Sequence, residues 1–314
     1  MTGRSFPSLL LHLFLFLQLI LPMTAGAAAP GQNAGPTPGS PWSFSLRGGS
    51  LHHFEAGLEE RGDFNVSRFV IQGGAEYAPG SRRSIALTAG YGFEQYDFAA
   101  GSLIPGQTPW EDIHTVWLTV PVRWGMENDW TLFVLPSLRW SAESGASRED
   151  ALTGGLFAAA AYRFSDRLTA GPGLGITSRL EDSASLFPFL LIKWKVTERL
   201  TLAAGEGSAA IQGPGLTLDW KAAARWHLLF GGGYGQQRFR LDDRGPVPGG
   251  IGEKTSFPLF IGATCEISPQ VRADIFGGVE AGGELRLEDR DGRLMAEEDF
   301  DPAVFLGAAF AGRF

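Results

Sequence analysis

The chain of 314 residues holds a single cysteine, Cys265. An intramolecular disulfide scaffold is therefore excluded, as is any multi-cysteine zinc or iron–sulfur site. Basic charge is in deficit too: 26 Lys plus Arg stand against 34 Asp plus Glu, a net charge of −8. That argues against a nucleic-acid binder, which needs a basic face. Mean hydropathy is near zero, so a bundle of transmembrane helices is ruled out. A membrane β-barrel is not, because its apolar and polar faces average out. Convincing amphipathic helices are absent after Trp42. Gly-x-Ser-x-Gly, His-Glu-x-x-His and phosphate-loop patterns are missing as well.

What is present begins with one apolar run. Leu9 to Leu21 reads LLLHLFLFLQLIL after Arg4, about the length of a signal-peptide core and short for a membrane-spanning helix. Small residues follow, and Ala25-x-Ala27 fits the cleavage rule, so cleavage is expected after Ala27. This makes residues 1–27 a signal peptide for export through the Sec pathway. Residues 28–41 are rich in Gly, Pro, Ser and Asn and read as a flexible leader. The fold is expected over 42–314 as one domain.

From Trp42 the dominant pattern has period two. Ile85, Leu87, Ala89, Tyr91 and Phe93 fall on one face; Val116, Leu118, Val120, Val122 and Trp124 do the same; so do Phe257, Leu259, Ile261 and Ala263. These runs span about ten to fourteen residues, enough for a tilted membrane strand, which needs about nine to eleven. Tight turns are expected near Pro79-Gly80, Glu127-Asn128-Asp129, Ser165-Asp166, Thr197-Glu198, Arg225 and Ser268-Pro269. Longer polar connections over 101–112, 142–150, 179–185, 241–254 and 288–301 alternate with them. The count is about fourteen strands, with twelve as the alternative. The fold class is all-β, an antiparallel up-and-down transmembrane β-barrel.

Aromatic residues sit beside the tight turns. Trp124, Trp130, Phe164, Trp194 and Trp226 would form a girdle at one membrane interface. The chain ends in AVFLGAAFAGRF, with Phe310 and Phe314 on one face. In this the sequence resembles bacterial outer-membrane β-barrel proteins, whose last strand alternates and ends on an aromatic. Gly312 departs from that pattern, where another apolar residue is usual. The segment WLTVPVRWGMENDWTLFVLPSLRW looks like an uncharacterised family of outer-membrane β-barrels, which lends no functional residues. The resemblance implies an outer-membrane location, lipid contact, and recognition of the last strand by the barrel-assembly machinery.

The expected inward face carries the charges, since a charge facing lipid would cost about 2–4 kcal/mol at the midplane. By parity Arg123, Arg139, Arg163, Lys193 and Lys195 form a basic arc. Glu266, Asp274 and Glu280 form an acidic one, with Arg272 among them and Asp219 and Lys221 between. Such opposed arcs would set a transverse field across a water-filled lumen and orient a small polar solute. Phe133, Phe157, Phe187, Phe189, Phe260 and Phe276 share the inward parity and would narrow or line that lumen.

Chemistry is otherwise sparse. Asp112-x-His114 is a weak acid–base pairing. His52-His53 lacks a third metal ligand. Glu288 to Gly292 resembles half of a calcium loop, without the Glu expected at the twelfth position. No catalytic residue, metal site or cofactor is assigned. A porin-like channel or solute-binding barrel is the first expectation, a plugged structural or surface-interaction barrel the second, and a lipid or peptide hydrolase the third.

Overall fold

The computed structural model describes residues 40–60, 62–99, 103–147, 149–181, 183–205 and 215–314. The expected signal peptide, and all but the last two residues of the expected leader, lie outside the described residues. The described elements are all strands: β1 (Trp42–Gly57), β2 (Asp63–Gly80), β3 (Arg83–Phe98), β4 (Asp112–Thr119), β5 (Val122–Gly125) and β6 (Trp130–Glu143). Then come β7 (Leu152–Arg163), β8 (Leu168–Ser178), β9 (Ala184–Lys195), β10 (Leu200–Ala204), β11 (Gly215–Lys221) and β12 (Trp226–Gly233). The last are β13 (Gly235–Arg240), β14 (Ile251–Glu266), β15 (Val271–Glu288), β16 (Leu294–Phe300) and β17 (Ala303–Arg313).

Three pairs of these segments are single staves with a break. Both β4 and β5 pair with β3 and β6; both β12 and β13 pair with β14; both β16 and β17 pair with β15. Seventeen segments thus make fourteen staves. Each pairs antiparallel with its chain neighbour, and β17 closes on β1 from Ser45↔Arg313 to His53↔Phe305. Closure removes the sheet edges that an open sheet would expose.

The outer wall explains the alternation. Leu186 (65%), Ile275 (63%) and Leu306 (60%) are among many large apolar side chains standing outward. A belt of this extent in water would be an aggregation surface; in hydrocarbon it is the required surface. The tight turns fall where the sequence places them, and all gather at one end with the start of β1 and the end of β17. Asp129 takes a left-handed backbone there (φ 62°), a conformation a short polar side chain tolerates.

At the other end the strands run further than the alternation suggests. β2 and β15 each reach 18 residues. The polar stretch 251–254 is the start of β14, and the second half of 288–301 is β16. The expected loops there are therefore shorter. The reason is physical: beyond the bilayer no lipid demands an apolar outer face, so polar strands and loops look alike in sequence.

Glycine supports the inner wall. Each inward ring along several ladders lies over a glycine directly opposite in register: Phe189 over Gly173, Phe187 over Gly175, Phe260 over Gly231, Phe276 over Gly307 and Trp117 over Gly90. A Cβ on Gly175 would stand 2.2 Å from Cζ of Phe187, and one on Gly90 would stand 2.1 Å from Trp117. Five of the chain's 43 glycines serve this seating.

Candidate functional site

The lumen divides into two zones. The zone at the turn end is polar. Ser43, Ser45 and Arg47 from β1, Glu76 from β2, Arg123 from β5, Lys193 and Lys195 from β9, and Asp219 and Lys221 from β11 follow the inward parity. Most are half-buried, so water reaches them. Arg123 donates to the Ser81 carbonyl (3.1 Å), and Arg313 to Glu76 (2.6 Å). Arg163 lies exposed at the end of its strand.

The zone at the loop end is filled. Two segments fold inward over the mouth. The connection between β3 and β4 contributes Leu103 and Trp110. β13 and its hairpin loop contribute Phe239, Leu241 and Val247. These meet Phe64, Val66, Tyr96, Leu285, Leu287 and Phe300 from the wall, all nearly inaccessible. Trp110 packs edge-on to Phe239 with ring centroids 5.4 Å apart. Burying side chains of this size contributes about 1.5–3 kcal/mol each.

β13 has left the wall to do this. Its last residue, Arg240, makes a parallel bridge to Ala142 of β6, six staves away in the ring. Its side chain donates to the carbonyls of Asp150 (3.1 Å), Gly249 (3.0 Å), Arg290 (3.3 Å) and Leu180 (2.5 Å). Arg238 binds Glu181 (3.0 Å), Glu288 (2.7 Å) and Glu253. Glu143 accepts from the backbone N–H groups of Asp242 (2.9 Å) and Glu111 (3.0 Å), joining the two inward segments.

Beneath this plug lies a layer of paired charges. Arg68 grips Glu94 through two hydrogen bonds (2.8 and 3.2 Å) and reaches Gln237 (3.4 Å). Lys254 pairs with Glu280 (2.7 Å), which also faces His53 (3.3 Å). The acidic arc of the sequence reading is thus compensated locally. Asp274 accepts from Thr264 (2.5 Å) and lies 3.7 Å from Arg272. His227 sits between Asp219 (2.8 Å) and Glu266 (3.7 Å). The basic arc on β5 to β9 includes Arg139, which is buried and has no ion-pair partner among the described residues.

Sequence reading weighed His53 only as a metal ligand and missed Arg68, Lys254 and Arg238. Arg68 follows the alternation and was legible by parity; Lys254 fell in a stretch expected to be loop. Arg238 was not legible, because the departure of β13 from the wall has no local signature.

Other sequence candidates are separated by the fold. His52 faces outward to Ser67 (3.0 Å), and His53 faces inward. His114 bonds the Tyr91 hydroxyl (2.7 Å) and Ser144 (3.0 Å), not Asp112. Glu288 is committed to Arg238, and Asp289 caps its own turn through the N–H groups of Asp291 and Arg293. Trp124, Phe164, Trp194 and Trp226 stand 45–62% exposed beside the tight turns, and Trp130 packs on Tyr162 there. Phe310 and Phe314 are exposed at the same end, on the strand that seals the barrel and just beyond it.

A closed fourteen-stave ladder, an apolar outer wall and an aromatic ring at one rim define the chain as a transmembrane β-barrel. No family model and no curated protein match it. Among solved structures it is similar to an outer membrane channel from Pseudomonas putida F1 (10% identity, 88% of this chain and 96% of that one, TM-score 0.49). It is also similar to the P. putida toluene transporter TodX (6%, 87% and 90%, 0.44). A third is the translocator domain of the autotransporter NalP from Neisseria meningitidis (11%, 90% and 91%, 0.38). The hydrogen-bonded ladder, not these likenesses, carries the barrel reading.

Proposed function

We propose that this protein is an outer-membrane barrel that acts as a constricted channel for a small polar solute. It is held shut at its outer mouth by the inward β13 hairpin. Export by a cleaved signal peptide and insertion through the last strand, with Phe310 and Phe314 as the assembly signal, belong to the same reading. The observation that carries it is the contrast within one lumen: a polar zone open to water lies below a plug built from two loops. A wide, permanently open pore does not fit the burial of Trp110 and Phe239.

Planar-bilayer recording tests this. The wild-type barrel should give small, infrequent current steps. A Trp110→Ala/Phe239→Ala double variant should give larger and more frequent ones. If the folded variant is as silent as the wild type, the second reading takes over: a plugged barrel acting through its outer loops.

A further inference from the structure

A small cavity lies between the inner faces of β6, β7 and β8 and the inward-folded β13. Its volume is about 30 Å³. A water needs roughly 10–15 Å³ on this measure, so the space suits two waters or one compact oxyanion. Among the described residues, the charged ones lining it are Arg139, Arg179 and Arg238, with no Asp or Glu beside them. Hydroxyls of Ser137, Ser141, Thr153 and Thr177 complete the wall, and Gly154 and Gly155 leave the room.

The arginines are not equivalent. Arg238 is held by three glutamates, and Arg179 lies 2.7 Å from Glu181. Arg139 is only 7% exposed and makes no ion pair among the described residues. Its Nε has no hydrogen-bond partner. The carboxylate whose charge reaches it, Glu94, is already gripped by Arg68. An arginine cannot shed its proton, so burial leaves it a cation lacking a counter-ion. A planar fork of donors in that state is matched by the two oxygens of a carboxylate or phosphate.

We propose that this cavity is an anion subsite. In it Arg139 receives the oxyanion head of a small solute, and Thr177 and Ser178, whose hydroxyl protons are not donated to the protein as those of Ser137 and Thr153 are, supply further hydrogen bonds. Arg163, Lys193 and Lys195, from the turn end of β7 and β9, give an anion a favourable approach from below. The class of solute, a small carboxylate or phosphate ester, rests on the reading of the lumen as a solute path.

The test uses the folded full-length barrel in detergent, with acetate and inorganic phosphate as probes and chloride as the reference. Calorimetric titration should show saturable binding of acetate or phosphate and not of chloride. Arg139→Gln should weaken that binding at least tenfold, Arg139→Lys less, and Arg244→Gln on the outer loop not at all. Without probe, the Arg139→Gln barrel should resist denaturant better than the wild type, because an uncompensated buried cation has gone. A purely structural arginine would give the opposite shift. Equal response to all three anions, or unchanged binding by Arg139→Gln, overturns the subsite. Should Arg139→Gln fail to give a heat-modifiable folded band, Arg139→Lys and Arg139→Met decide the question by the same titration. Conductance without binding defeats the subsite and leaves the channel standing. Binding without conductance in wild type or in the unplugged double variant does the reverse.

Discussion

The two ends of the lumen obey different rules. At the turn end each strand faces lipid on one side and water on the other, and the residues alternate accordingly. At the loop end both faces of β13 are covered: Gln236, Gln237, Arg238, Phe239 and Arg240 are all buried. One end is a wall around a space; the other is a small protein core built inside a wall. The lesson is that a barrel's strands have no single environment along their length.

Substitution of matched charges should break that comparison most sharply. Arg238→Met leaves Glu253 and Glu288 buried without their shared cation, at a cost of about 3–5 kcal/mol. Its denaturant midpoint should drop, and protease should gain access to the 241–250 hairpin. Lys195→Gln, at a half-buried position in the wet zone, should move the midpoint by less than about 1 kcal/mol. Equal losses in the two variants would show that both zones are equally dry.

A smaller effect is expected where the inner wall is shaped by missing side chains. Gly175→Val should drive the Phe187 ring off its seat, costing about 1–3 kcal/mol. Adding Phe187→Ala should recover part of it. Refolding yield and thermal midpoint of the three barrels measure this.

The smallest effect concerns the outermost strands, beyond the Gly282 bend. Burial, with Glu297 second, pushes the Glu284 carboxyl up to about 7 against the pull of Arg286. A carboxyl raised above its unfolded range leaves the fold unpenalised below the usual carboxylate range near 4.5. That advantage is lost as pH rises through about 7. Amide exchange in β16 should therefore be slower at pH 5 than at pH 8 after correction for intrinsic rates. Glu284→Gln should remove the difference.

How much of this was legible follows the same division. The alternation in β3, β4 and β14 gave strand identity, facing and turn position, because lipid outside and water inside impose it on every residue. The stave count followed from the turns. The plug was not legible. Trp110 sits in a polar connection and reads as a stray aromatic, while Phe239 and Arg240 alternate as any wall strand would. Their burial depends on a partner strand six staves away, a relation that no local window holds. The basic arc was readable by parity, yet the solitary state of Arg139 depends on which acids Arg68 and Arg238 have already taken.

The pairing of ring and glycine carries a consequence for how this wall changes over time. A phenylalanine laid flat across its neighbour occupies two positions of the ladder at once, so the bore at that level belongs to the couple rather than to either member. Exchanging the two, as in Gly175→Phe with Phe187→Gly, would rotate the ring to the adjoining strand and keep the filled volume constant. Either change alone would choke the passage or leave a void. Such couples give the barrel a set of tiles that can be shuffled around its circumference, moving the apolar patches past fixed charges while the bore stays the same.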